Sequence, residues 1–227
     1  MELKNLGELE RSNLATDIAE RLRESIVRGE IPPGTHLIET EMARNLGVSR
    51  GPLREALRIL ETEDLLESSP GHGSFVPQIS SRDIHEVYSL RCILEEEAIR
   101  LATENRKTED LNRLQETLKD MFKAANADDT SRVTDLDYKF HQQIWEMADH
   151  TRLKNVLESI TTRIRMYLAV QTQLYDDLAV GISDHELLLN ALRNRDSEAG
   201  VQVLRNHLQV AADVVLDYHE KHQTDET

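Results

Sequence analysis

Leu46-Gly47-Val48-Ser49-Arg50-Gly51-Pro52-Leu53-Arg54-Glu55-Ala56-Leu57-Arg58 is the stretch whose reading decides the fold of the N-terminal part. Gly47 stops a short helix predicted over about 39–45. Ser49 is a good N-cap, and Pro52 falls in the first turn of the next helix, where its missing N–H costs little. Leu53, Ala56, Leu57 and Leu60 lie at helical spacing and predict the buried face of a helix reaching about Thr62. Arg50, Arg54 and Arg58 recur every four residues and share the opposite face. Upstream, Ser12 or Asn13 caps a helix to about Arg28, apolar at Leu14, Ile18, Leu22 and Ile26; Gly29 ends it, and Ile31-Pro32-Pro33-Gly34 is a turn. Downstream, Leu65-Leu66-Glu67-Ser68 and Ser74-Phe75-Val76 read as two short strands joined by Pro70-Gly71-His72-Gly73. Helix, helix, tight turn, helix, hairpin is the order of a winged helix-turn-helix.

The rest of the chain has a different texture. All five prolines lie at or before Pro77, and only Gly181 and Gly200 of nine glycines lie after it. Loss of both helix breakers predicts a helical bundle. The expected fold is mainly α: a winged helix-turn-helix over 1–77, α with a small β-hairpin, and an all-α bundle over 78–227. The bundle divides into roughly six helices. They run from Ser80 or Ser81 to about Asn105, Thr108 to Ala125, Asp128 to Ala148, Thr151 to Tyr175, Ser183 to Asn194, and Asp196 to Glu220. Ser183-Asp184-His185-Glu186 reads as a capping box. Aromatic residues make up only 4% of the chain, which argues against a β-sandwich. Cys92 is the single cysteine, so no intramolecular disulfide forms. The N-terminal MELKNLGELERSN lacks the apolar core of a signal peptide, and no run approaches 18 apolar residues. No membrane span and a cytoplasmic location are therefore expected.

The formal net charge of −15 speaks at first against a nucleic-acid partner. Its distribution reverses that. Residues 1–77 carry nine basic and 14 acidic side chains, and residues 78–227 carry 18 and 28, so most of the excess acid lies outside the DNA-binding part. Between residues 44 and 58 there are four arginines, Arg44, Arg50, Arg54 and Arg58, against Glu55 alone. An arginine stripe on the second helix of a helix-turn-helix suits the major groove, where guanidinium bonds guanine edges or clamps phosphates. Ser49 and the free N–H groups beside it suit a phosphate. Gly71, His72 and Gly73 form a tip at which backbone can approach DNA closely.

At this point the residues carry a specific resemblance. Gly34-Thr35-His36-Leu37-Ile38-Glu39-Thr40-Glu41-Met42-Ala43, then Leu46 to Leu57, then Pro70-Gly71-His72-Gly73-Ser74-Phe75-Val76 resemble the GntR family of bacterial transcription regulators. The resemblance implies DNA contacts at Ser49, Arg50, Gly51, Arg54 and the wing glycines. Thr40 stands where many members carry a DNA-touching arginine, and Asp64 where a glycine is more usual.

In the helical part, Asp137 and His141 are four apart on one predicted helix and point the same way. His185 sits near a helix start, and His207 lies within an apolar helix with Val203, Leu204, Leu208, Val210 and Ala211. Three imidazoles and a carboxylate suit Zn²⁺, Ni²⁺, Mn²⁺ or Co²⁺. By spacing alone, His185 and His207 are equally readable as capping or core residues. Asp83-Ile84-His85-Glu86-Val87-Tyr88 with Arg91 and Leu94-Glu95, Asp137-Tyr138-Lys139-Phe140-His141, Asp184-His185-Glu186, and Arg205-Asn206-His207-Leu208 are similar to the all-helical FCD domain of the FadR-like subfamily. That resemblance implies a divalent metal on Asp137, His141, His185 and His207. Four ligands on an octahedral ion leave two positions for a small carboxylate or 2-hydroxy acid. Arg91, which matches a recurring arginine of the subfamily, and Arg165 are the candidates to hold a second carboxylate, with Arg163 as the alternative.

The expected function is that of a DNA-binding transcription regulator, most often a repressor in this family. It would act as a homodimer on a pseudo-palindromic double-stranded operator, modulated by a small organic acid at the metal. The alternatives are a metal sensor, in which the ion itself is the signal, and a metal-dependent enzyme. The enzyme lacks a general base or nucleophile at motif spacing.

Overall fold

The computed structural model describes residues 13–69, 73–175 and 177–223. Its elements are α1 (Asn13–Val27), β1 (His36–Leu37), α2 (Glu39–Leu46), α3 (Arg50–Thr62), β2 (Glu67–Ser69), β3 (Gly73–Phe75), α4 (Ser81–Asn105), α5 (Thr108–Ala125), α6 (Thr130–Met147), α7 (Thr151–Ser159), α8 (Thr161–Leu174), α9 (Leu178–Asn194) and α10 (Ser197–Gln223). The chain is mainly α, and it divides into two units, residues 1–78 and 79–227.

In the first unit α1 packs on α3. Ile18, Ala19, Leu22 and Ile26 of α1 are buried with Leu53, Ala56, Leu57 and Leu60 of α3, while Leu14 is 47% exposed and lies outside the core. Each such aliphatic side chain contributes about 1.5–3 kcal/mol on burial. Arg23 binds Glu63 through two 2.7 Å hydrogen bonds, fastening α1 to the end of α3. Gly47 closes α2 in the left-handed region at φ 65°, donating to the carbonyls of Ala43 and Arg44. The expected hairpin, β2 and β3, supplies two strands of a three-stranded antiparallel sheet of order β1-β3-β2. His36 pairs with Phe75 and Leu37 with Ser74. Two residues of strand are too short to carry an alternation, so β1 left no mark in the sequence pattern. Asp64 stands at φ 54°, the left-handed geometry for which glycine is the usual choice.

The second unit holds seven helices among its described residues, one more than the sequence suggests. The expected continuous helix from Thr151 to Tyr175 is broken at Ile160, which leaves helical geometry at φ −104° and ψ 5°. No glycine or proline marks the break. Ser159 and Thr161, on either side of it, turn their hydroxyls onto the carbonyls of Val156 and Leu157. The helix expected from Ser183 begins earlier, at Leu178. Asp177 caps it by accepting from the Ala179 N–H at 2.9 Å, and Ser183 is internal, donating to the Val180 carbonyl. The capping box is therefore not formed, and Gly181 lies within the helix beside the Tyr175 ring. Ser80, Asp129 and Asp196 cap their helices as expected. The C-termini of α9 and α4 are closed reciprocally: Arg106 donates to Leu192 and Arg193 carbonyls, and Arg195 to those of Thr103 and Glu104. α4 packs against α10 and α6, and α9 and α8 pack against α10 and α6 respectively. Four helices thus converge their polar residues in one interior, with α8 flanking it. No described helix is long and apolar enough to cross a membrane.

Candidate metal centre and nucleic-acid interface

α3 is amphipathic because its leucines and Ala56 are buried, which leaves Arg50, Arg54 and Arg58 exposed. Arg44, in the last turn of α2, is exposed as well. Ser49 is the N-cap of α3 in extended geometry, and its hydroxyl makes no capping bond. Beside it, a Cβ built on Gly51 would meet nothing within 4 Å. The first turn of α3 therefore presents free N–H groups, a hydroxyl and an unobstructed backbone on one exposed surface. Arg54 is held by Glu39 of α2 at 2.8 Å through Nε. In the wing, Gly73 has φ 85°, and a Cβ there would sit 2.8 Å from His36 Nε2. His36 in turn stacks on Phe75 with ring centroids 4.6 Å apart. Gly71 and His72 lie outside the described residues.

The second unit brings Asp137, His141, His185 and His207 together, and all four are buried. α6 supplies Asp137 and His141 one turn apart, α9 supplies His185 and α10 supplies His207. One ligand atom from each histidine lies within 4.8 Å of the other two. Asp137 closes the set, with Oδ2 3.2 Å from His185 Nε2 and Oδ1 3.7 Å from His141 Nε2.

Each imidazole is oriented from behind. Glu95 of α4 lies 2.6 Å from His141 Nδ1. The Ile182 carbonyl lies 3.2 Å from His185 Nδ1, and Asp184 lies 3.6 Å from His207 Nδ1. A carboxylate or carbonyl only accepts, so Nδ1 of His141 and of His185 donates to it, which turns Nε2 of each toward the cluster. Those two Nε2 atoms and Asp137 Oδ1 are buried and make no hydrogen bond. An unmet buried polar atom costs about 1–3 kcal/mol. Three of them around one point, on borderline and hard donors, are what a divalent cation would satisfy.

The protonation states agree with that chemistry. Burial alone would raise the Asp137 carboxyl; the imidazoles, His185 foremost, hold it well below the usual carboxylate range. Burial pushes His207 down to about 4, with His185 and His141 adding to the shift and Asp184 opposing it. Glu95, also buried, is drawn down to about 2 by Arg91 and His141. At neutral pH the cluster offers an ionised carboxylate and a neutral His207, the forms a metal needs.

Arg91 lies one turn from Glu95 on α4, fully buried, its Nε donating to Glu95 Oε1 at 2.8 Å. Its Nη2, the Tyr88 hydroxyl and Gln171 Oε1 are buried without a hydrogen-bond partner. The guanidinium lies 5.5 Å from the centroid of the Tyr88 ring. Gln171 donates to the Tyr175 hydroxyl at 3.0 Å, and charge on Asp137 acts on both Tyr88 and Tyr175. A cation and several unmet polar atoms thus adjoin the metal-ligand cluster. Arg165 pairs with Asp135 at 3.1 Å and lies over the Tyr138 ring. Arg163 pairs with Asp83 at 3.4 Å.

Sequence reasoning assigned no role to Glu95, Tyr88, Gln171 or Asp184. α4 held a usable signal. Its buried stripe runs Ile84, Val87, Tyr88, Arg91, Glu95, Ala98, Ile99, Ala102, and a charged pair set into an apolar stripe needs an internal reason.

Comparison with known proteins gives two family matches. The model of the FCD domain matches residues 86–210, and that of bacterial regulatory proteins of the gntR family matches residues 14–76. The gluconate operon transcriptional repressor of Bacillus subtilis is 30% identical over 92% of this chain and 88% of its own length. The uncharacterized regulator YdhC of the same organism is 29% identical over 82% of this chain and 84% of its own. The solved structure of McbR/YncC from E. coli superimposes with a TM-score of 0.79 at 27% identity, covering 92% of this chain and 99% of that one. These matched families and relatives are transcription regulators, not enzymes.

Proposed function

The chain belongs to the GntR family of bacterial transcription regulators, with a C-terminal FCD domain, and on that premise we propose that it is a dimeric repressor controlled by a small organic acid bound at a divalent metal. The arginine face of α3 enters the major groove of one half-site. Arg50 and Arg54 reach base edges, Arg44 reaches phosphate, and Ser49 with the N–H groups around Gly51 holds a further phosphate oxygen. The wing, including Gly71, His72 and Gly73, lies along the backbone. Two copies read a pseudo-palindromic double-stranded operator, and the protein works in the cytoplasm, where its operator is.

In the helical domain, Asp137, His141, His185 and His207 hold a borderline divalent ion, Zn²⁺, Ni²⁺, Mn²⁺ or Co²⁺, whose open positions supply a place for acid oxygens. Arg91 Nη2 holds the acid's carboxylate, and the Tyr88 hydroxyl takes a second oxygen. Arg165 is left to its pairing with Asp135. The gluconate operon repressor among the relatives makes a sugar acid a reasonable first ligand to try. The acid acts on transcription only through a difference in its affinity for the DNA-bound and free forms.

One observation carries this reading: three histidines from three helices are aimed at one point, and Nε2 of two of them and an Asp137 oxygen are buried there with no hydrogen bond. The test is to strip the protein with chelator, reload it with Zn²⁺ or Mn²⁺, and titrate gluconate and citrate by calorimetry. One ion per chain, with acid binding to the loaded protein only, is expected. Failure to take up an ion, or acid binding that is the same without it, would overturn the proposal. DNA affinity that followed free ion and ignored every acid would replace it with a metal sensor.

A further inference from the structure

We propose that Glu95 is a positioning residue that fixes His141 as a metal ligand and joins it to Arg91, so that metal binding and acid binding are coupled through one carboxylate. The inference rests on the metal reading above and goes beyond it by assigning a role to a residue that is neither a ligand nor an acid-binding group.

The geometry is specific. Both Glu95 oxygens are engaged, and by different partners. Oε1 accepts from Arg91 Nε at 2.8 Å, and Oε2 accepts from His141 Nδ1 at 2.6 Å. All three side chains are essentially inaccessible, so the carboxylate is shielded from bulk water. α4 places Arg91 and Glu95 one turn apart, and α6 brings His141 to the far oxygen. The result is a buried line, Arg91–Glu95–His141. It ends on one side at an unmet guanidinium nitrogen and on the other at an unmet imidazole nitrogen.

Two consequences follow. A carboxylate only accepts, so it holds the His141 proton on Nδ1 and leaves Nε2 as a donor to metal. An amide in its place can also donate to Nδ1, which moves the proton to Nε2 and blocks ligation. Glu95 also divides its charge between a cation and an imidazole N–H. An anion bound at Arg91 Nη2 takes up part of the guanidinium's charge. Glu95 is then left more negative toward His141, which becomes a stronger ligand. Acid and metal therefore favour each other beyond any direct contact between them, and by linkage the effect is reciprocal.

The experiment measures Zn²⁺ affinity by competition with a chromophoric chelator on the full chain, without and with saturating gluconate. The variants are wild type, Glu95→Gln, Arg91→Met/Glu95→Gln, and Ile99→Ala. Glu95→Gln alone strands a buried guanidinium and risks unfolding; the double variant removes both charges and keeps the core neutral. Ile99→Ala, on the same buried face of α4, reports a packing loss that keeps the Glu95 carboxylate in place. Zn²⁺ affinity is expected to fall about 10–100-fold in both Glu95 variants and to stay within about twofold of wild type in Ile99→Ala. Long-range ¹H–¹⁵N spectra of the metal-free proteins should show His141 as the Nδ1–H tautomer in wild type and in Ile99→Ala, and not in the double variant. Unchanged affinity and tautomer in the double variant would overturn the role of Glu95 while leaving the metal site standing. A wild type that binds no Zn²⁺ would remove the metal reading itself.

Discussion

Replacing His207 with leucine isolates the metal from the fold. His207 is buried on α10, and among the described residues its close carboxylate outside the cluster is Asp184, whose side chain is 40% exposed. Water can therefore take over from the lost imidazole, and no buried charge is stranded. Leucine nearly fills the same volume, so the metal-free variant should lie within about 1.5 kcal/mol of the metal-free wild type. The metal-bound states should differ far more. At a free Zn²⁺ concentration 100 times the dissociation constant, wild type gains about 2.7 kcal/mol from binding. For a unit of this size that is about 5–11 °C in melting temperature. If loss of one of four ligands weakens binding about 100-fold, the same free Zn²⁺ only matches the variant's dissociation constant, and the gain falls to about 0.4 kcal/mol. The assay is scanning calorimetry in a Zn²⁺ buffer, following the transition of the helical unit. A shift of several degrees in wild type and about one in His207→Leu is expected. An equal shift in both would show that the ion sits elsewhere, and no shift in either would refute the site.

Other perturbations separate the remaining parts. Arg54→Ala should weaken binding to cognate DNA by about 1–3 kcal/mol if it reads a base, measured by fluorescence anisotropy at fixed salt. Fold stability should change by less than about 1 kcal/mol, because its pair with Glu39 is largely exposed. Gly73→Ala should loosen the wing, since a left-handed L-residue costs about 1–2 kcal/mol and His36 must leave its place on Phe75; an unchanged melting curve for the DNA-binding unit would contradict this.

Much of the fold was legible because its signals are local. Gly47, Ser49 and Pro52 punctuate the helix-turn-helix, and the leucines and arginines of α3 divide by face. Three features were not legible. β1 is too short for a pattern and exists because β3 offers it an edge. The break at Ile160 carries no glycine or proline, and apolar periodicity runs on through it. The start of α9 was misplaced because Ser183-Asp184-His185-Glu186 reads as a capping box, whereas Asp177 caps the helix and Ser183 turns its hydroxyl onto the Val180 carbonyl. At the site, Asp137 and His141 could be paired from their spacing, but the convergence of His185 and His207 is a tertiary fact that spacing leaves open. Glu95 was visible only as a charge in an apolar stripe. Arg165 could not be placed from sequence, because the face it presents depends on how α8 is set after the break at Ile160.

The most direct test of acid control through a metal is the affinity of the full-length protein for DNA selected from a random pool, at constant salt. It is measured metal-stripped and Zn²⁺-loaded, each with and without gluconate or citrate. The expected result is at least a tenfold change in DNA affinity on adding acid to the loaded protein, absent from the stripped protein and from His141→Ala. DNA affinity that ignores both acids in the loaded protein, or that responds to them equally without the ion, would contradict the proposal.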